Sequence, residues 1–183
     1  VRSRRQRQMC IRDSHSTGSS NPGNYMEILV GDTLYFSATD GSSGHELWAH
    51  DTSNASTWRV ADIRSGSMGS GPGPQMSMLV GDTLYFIAYD VSSGIDLSAH
   101  DPSNASTFQV ADIFSGSSGS APGLYIKILV GDTLYFSAND GSSGYSGHEL
   151  WAHDTSNAST WRVADIYSGT GSSHPGGYME ILV

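Results

Sequence analysis

Apolar residues in this chain fall into runs of strand length divided by Gly, Asp, Ser and Pro, and no stripe of helical period extends far enough to make a helix. The first full unit opens with Met26 to Val30, continues through Gly31-Asp32, and resumes with Thr33-Leu34-Tyr35-Phe36-Ser37-Ala38. Two apolar runs around a Gly-Asp pair predict a β-hairpin, because both residues tolerate the positive φ of a tight two-residue turn. Asp40 to Gly44 predicts the next turn, Glu46 to His50 a third strand, Asp51 to Ser56 another turn, and Thr57 to Ile63 a fourth strand. Ser65 to Pro74 is mostly Gly, Ser and Pro, which cannot pack in a sheet and predicts a crossover loop.

The pattern repeats. Gly-Asp-Thr-Leu-Tyr-Phe begins at Gly31, Gly81 and Gly131, a period of fifty residues. The units span about 25–74, 75–124 and 125–177, and residues 178–183 open a fourth. A four-stranded antiparallel meander of this period predicts a β-propeller blade, with a β-solenoid or stacked-hairpin array as the competing architecture. The expected fold class is therefore all-β: an incomplete propeller of about three blades plus the first strand of another. Since propellers close with about four to eight blades, such an arc leaves apolar faces at both ends that call for the remaining blades of the same protein as partners.

The copies are unequal. From Leu29 and Leu129 onward the outer units are nearly identical, differing at Thr39 and Asn139 and by three inserted residues near Tyr145, Ser146 and Gly147. The middle unit has drifted: Val91 replaces Gly41, Ile95 replaces His45, Ser98 replaces Trp48, Pro102 replaces Thr52 and Phe108 replaces Trp58. What it retains is the better guide to what the unit needs.

Residues 1–14 do not fit the repeat, whose register begins near His15. They resemble the translated sequencing-adapter read-through found at the ends of many environmental reading frames and read as a non-native tail; the competing reading is a basic arm. The segment has no apolar run to act as a signal peptide. It holds five of the nine basic residues and one of the eighteen acidic ones, so four basic and seventeen acidic residues remain, a net charge of −13 for the repeats against −9 for the whole chain. Such an acidic surface argues against nucleic acid and anionic lipid as partners. The sole cysteine, Cys10, lies in the same tail, leaving the repeats without a disulfide, a thiolate metal site or a cysteine nucleophile. No run approaches the ~20 apolar residues of a membrane-spanning helix, so no membrane insertion is expected.

Leu34-Tyr35-Phe36-Ser37-Ala38, Asp40-Gly41, Gly44-His45-Glu46-Leu47-Trp48, Asp51, Thr57, Val60, Asp62-Ile63, Gly66 and Pro72 stand in the order of a known pattern. In these residues the chain resembles the ELWxxDGT repeat family, sometimes called hyalin-like, over essentially all of residues 15–183. It departs where the family has Asp-Gly-Thr and this chain has Asp51-Thr52-Ser53, and where the second glycine of that turn is Ser56. The resemblance implies a secreted or cell-surface array without catalytic residues.

Candidate chemistry is sparse. His45-Glu46-Leu47-Trp48-Ala49-His50 looks like a zinc protease motif, but that motif needs histidines four apart on one helical face, and here they are five apart on a strand. Asp51 to Trp58 is similar to the Asp-box turn of sialidase-like propellers, with spacing about two residues too long, and that turn is structural. Asp40, Asp90 and Asp140 head Ser-rich turns and are the calcium candidates; the competing role is turn capping. No other cofactor is expected. Asn54, Asn104 and Asn157 each begin an Asn-Ala-Ser sequon, a glycosylation site in a secreting eukaryote and otherwise turn chemistry. Trp48, Trp58, Trp151 and Trp161 could stack on sugars or pack between blades. The expected function is a non-enzymatic structural or recognition module binding polysaccharide or extracellular protein. The alternative is a piece of a larger propeller hydrolase or lyase whose catalytic residues lie outside this chain.

Overall fold

The computed structural model describes residues 18–141, 147–169 and 171–177. The tail at 1–14, the opening of the fourth unit at 178–183, and Tyr145 and Ser146 of the insertion lie outside the described residues. Among the described residues, twelve strands form three separate four-stranded sheets. The first comprises β1 (Glu27–Val30), β2 (Thr33–Thr39), β3 (His45–Asp51) and β4 (Ser56–Ala61). The second comprises β5 (Ser77–Val80), β6 (Thr83–Asp90), β7 (Gly94–Asp101) and β8 (Ser106–Ala111). The third comprises β9 (Lys127–Val130), β10 (Thr133–Asn139), β11 (His148–Asp154) and β12 (Ser159–Ala164). Each sheet is an antiparallel meander in chain order. These are the predicted blades; the fourth strands start one residue earlier than predicted, and the first ends at Ala61, not Ile63.

Strand boundaries follow from local chemistry. Val30 pairs with Thr33 across the Gly31-Asp32 turn, and the positive φ of 56° falls on Gly31, where no Cβ opposes it. The third and fourth strands of every blade share one irregularity, between Leu47 and Trp48, Leu97 and Ser98, and Leu150 and Trp151. This bulge adds one residue to the fourth strand and sharpens the twist there. The turn before that strand carries Ala55, Ala105 and Ala158 at φ of 56–59°. The left-handed residue is thus the alanine, one position before Ser56. An L-side chain at such φ costs about 1–2 kcal/mol, partly offset by what glycine loses from the unfolded chain. The triple substitution Ala55→Gly, Ala105→Gly, Ala158→Gly is therefore expected to raise the thermal midpoint by about 3–6 °C in calorimetry.

Alternation along the strands sorts side chains to two faces, and blades stack by pairing unlike faces. Tyr35, Leu47 and Ala49 of the first blade meet Leu84, Phe86 and Ala88 of the second. Tyr85, Ile87, Leu97 and Ala99 of the second meet Leu134, Phe136 and Ala138 of the third. Each interface also pairs a tyrosine with a histidine, Tyr35 with His100 at 5.3 Å and Tyr85 with His153 at 5.6 Å between ring centroids. Leu47 and Leu97 are fully buried by the blade that follows them, whereas Leu150 is only half-buried. Between the first two sheets the first strands β1 and β5 are in contact, whereas the fourth strand β4 is largely exposed, so first strands lie on the inner side and fourth strands on the outer. This is the radial arrangement of propeller blades.

Candidate functional site

Most polar side chains with defined partners are engaged in holding blades and turns. Asp40 accepts hydrogen bonds from the Ser42 and Ser43 amides, each at 2.8 Å, and from both serine hydroxyls. Those bonds hold its carboxyl well below the usual range. Asp90 receives the Ser92 amide at 2.7 Å and is likewise held down, first by the Ser92 hydroxyl. Asp140 pairs with Arg162 at 3.0 Å. The three calcium candidates thus sit at equivalent turns, and among the described residues no three His, Cys, Asp or Glu side chains converge as a metal set.

The sequon asparagines are turn elements too. Asn54 donates to Asp51 at 2.7 Å and accepts from the Ser56 amide at 2.9 Å, and Asn104 and Asn157 repeat both bonds. All of them lie on exposed turns. The two histidines of the protease-like string part company: the His45 ring lies edge-on to Tyr25, while His50 Nδ1 contacts the Thr57 hydroxyl at 2.8 Å.

The role of the glutamate in the Glu-Leu-Trp block was not legible from its neighbours. Glu46 is fully buried, and its carboxylate accepts from the amides of Ile63, Arg64 and Ser70 and from the Ser70 hydroxyl at 2.6 Å. Ser70 lies in the crossover, and its carbonyl accepts from the Tyr89 amide of the next blade at 2.8 Å. One carboxylate therefore fastens the crossover to its own blade while that crossover holds the following one. Glu149 repeats the bonds with Ile166 and Ser173. Asp96 keeps the two bonds with Ser120, while the shorter side chain makes none with the Ile113 and Phe114 amides among the described residues, so the change of Glu to Asp conserves the hold on the crossover serine alone. Burial pushes the Glu46 and Asp96 carboxyls up, against the pull of their donors.

A cavity edged by polar groups lies between the first two blades. It measures about 290 Å³ and is lined by Ala61, Asp62 and Ile63 of the first blade and by residues of β6, the Asp90–Ser93 turn, β7 and β8 of the second. Its origin is visible by comparison with the next interface, where Trp151 packs against the core with Val110 and Ile113. Ser98 takes that place in the middle blade and is too small to fill it. A second change coincides. Arg59 approaches Asp40 at 4.0 Å and Arg162 pairs with Asp140 at 3.0 Å, but the equivalent residue of the middle blade is Gln109, whose amide turns to Asp96 at 3.2 Å. The loss of Trp was visible in the sequence; the loss of Arg at the same spot became meaningful only once the strands were paired, since Ser98 and Gln109 are cross-strand partners.

The tryptophans divide by position. Trp151 packs between blades, Trp48 occupies the equivalent place on the uncovered face of the first blade, and Trp58 and Trp161 are about 40% exposed on the outermost strands.

No family model matches the chain, and no curated protein matches it. Solved structures do. A puromycin hydrolase aligns at a TM-score of 0.50 and 10% identity over 77% of this chain and 20% of its own. TolB from Acinetobacter baumannii aligns at 0.45 and 14% identity, over 76% of this chain and 31% of its own. A puromycin-hydrolyzing peptidase of Mycobacterium tuberculosis aligns at 0.47 and 12% identity, over 73% and 19%. The chain spans less than a third of the length of each. At these identities the likeness is one of fold, and the fold is that of β-propeller blades.

Proposed function

We propose that this chain is an arc of a β-propeller that serves as a non-enzymatic recognition module in a secreted or cell-surface protein, with polysaccharide as its ligand class and further blades covering its end faces. The observation that carries this reading is the cleft between the first two blades. There the middle copy gives up a ring and a cation while keeping the sheet pairing and the bonds of its crossover serine, which is how a binding site departs from a structural repeat. The resemblance to ELWxxDGT repeats supports secretion and the lack of catalytic groups. Extracellular protein is the other ligand class such a face could serve.

The test is affinity electrophoresis of the whole chain through gels containing neutral, acidic and amine-bearing polysaccharides, together with an assay for newly released reducing ends. Retardation by at least one polysaccharide without cleavage is expected. Turnover would favour the second reading, a piece of a propeller hydrolase or lyase, which the likeness to a puromycin hydrolase keeps in view. Passage of the chain unretarded through every gel would remove polysaccharide recognition.

A further inference from the structure

Ser98, Gln109 and Asp90 meet in the same cleft, and together they describe what would occupy it. Ser98 is only 6% exposed, yet its hydroxyl, on the cavity wall, has no hydrogen-bond partner among the described residues. The hydroxyl is open to the cavity and not sealed in the core, so it is free to meet a polar group that enters. Ser93, also 6% exposed, Thr107 and the Gln109 amide add further polar groups to the lining.

Charge adds a second constraint. The lining holds Asp62, Asp90 and Asp96 and no basic residue. Asp62 already faces Arg59 at 3.6 Å, and Asp96 is engaged by Ser120 and Gln109. Asp90 sits where the sister blades bring an arginine to Asp40 and Asp140, and among the described residues no cation reaches it. The vacated space therefore has the shape left by a ring and the field left by a cation. Because Ser98, Ser93, Thr107 and Gln109 edge that space with hydrogen-bonding groups, a hydroxylated ring suits it better than an aromatic one.

Resting on the recognition reading above, we propose that the cleft between the first and second blades binds one protonated amino-sugar residue of a polysaccharide, with its ring in the space of the missing tryptophan and its ammonium toward Asp90. A volume near 290 Å³ suits one such ring. The carboxylate of Asp90 would discriminate against the N-acetylated sugar, which carries no charge.

The experiment is isothermal titration and saturation-transfer NMR on the whole chain with three probes: deacetylated chitotriose, its N-acetylated counterpart and tri-lysine. The wild type is expected to bind deacetylated chitotriose in the millimolar range and at least about tenfold more tightly than the acetylated form. Ser98→Trp, which restores the residue of the sister blades, should abolish binding and raise the thermal midpoint, because it fills the cavity in place. Gln109→Arg should weaken binding by about tenfold or more with the fold intact, since arginine then competes for Asp90. No binding at 20-fold excess over the millimolar range, or binding that survives Ser98→Trp, would overturn the assignment. Tri-lysine binding as tightly as the sugar would overturn it in favour of a basic protein segment. Binding of polysaccharide in gels that persists in Ser98→Trp would leave the recognition reading standing and remove only this site.

Discussion

Glu46→Ala is expected to destabilise the chain by about 3–5 kcal/mol in urea unfolding, the largest effect of any single side-chain truncation here. The carboxylate is fully buried and answers four donors, the amides of Ile63, Arg64 and Ser70 and the Ser70 hydroxyl. Alanine leaves all of them unanswered in a place water does not reach. The damage should not stay within the first blade, because Ser70 also accepts from the Tyr89 amide of the second. Hydrogen exchange should therefore speed up at Ser70, Ile63 and Tyr89 before it changes in β1. A loss below about 1 kcal/mol would show that the crossover is held by its glycines alone.

Glu46→Gln separates charge from shape. Burial pushes the Glu46 carboxyl up, so its folded value lies above its unfolded one. The stability tied to the protonated form is fully present below the ordinary glutamate range and is lost as pH rises through the folded value. Relative to Glu46→Gln, which does not titrate, the wild type should thus gain stability as pH falls from neutrality into that window. The turn aspartates Asp51, Asp101 and Asp154 act in the opposite sense: serine donors hold them down, so their contribution is present above the ordinary range and lost as pH falls. Since both proteins share those turns, the difference between them isolates Glu46.

Gly69→Ala is the second large effect, at about 2–4 kcal/mol and a fall of about 5–15 °C in the thermal midpoint. Gly69 and Gly44 are the points where the crossover runs directly against the start of β3, with His45 and Gly69 forming a parallel bridge. A Cβ on Gly69 would land on the backbone nitrogen of His45 and lie 2.6 Å from its carbonyl oxygen, at a φ of 68°. No flexible side chain is there to give way, so one main chain must move. Gly66→Ala is the matched control. Its φ is 102° but nothing lies within 4 Å of the added carbon, so it carries the dihedral cost without the collision. Equal losses for the two variants would show that conformation alone, and not the backbone crossing, fixes these glycines. Gly119 against Ile95 repeats the crossing in the middle blade and should respond as Gly69 does.

These two residues also show where reading the chain stops short. Gly69 lies in a Gly-Ser-Pro stretch that composition marks only as a loop, and its crossing with His45 joins positions twenty-four residues apart. Glu46 sits in a strand whose alternation says which face it takes but not what meets it there. A buried carboxylate and an exposed one look alike in sequence; the difference lies in donors brought from a loop some twenty residues on. The cleft is a further case. Ser98 and Gln109 lie on consecutive strands on either side of a turn, and only the register set by the bulge makes them neighbours.

By itself the sequence determined the period, the four strands of each blade, the turns at Gly31, Asp40 and Asp51, and hence the all-β class, because these depend on interactions within a few residues. It also determined which copy had drifted. The tertiary structure alone decided which faces meet, that the Glu-Leu-Trp glutamate is a clasp, and that the drift of the middle copy opens a cavity edged by polar and acidic groups. Those outcomes depend on contacts between blades, where a ring missing from one chain segment is felt only as space against another.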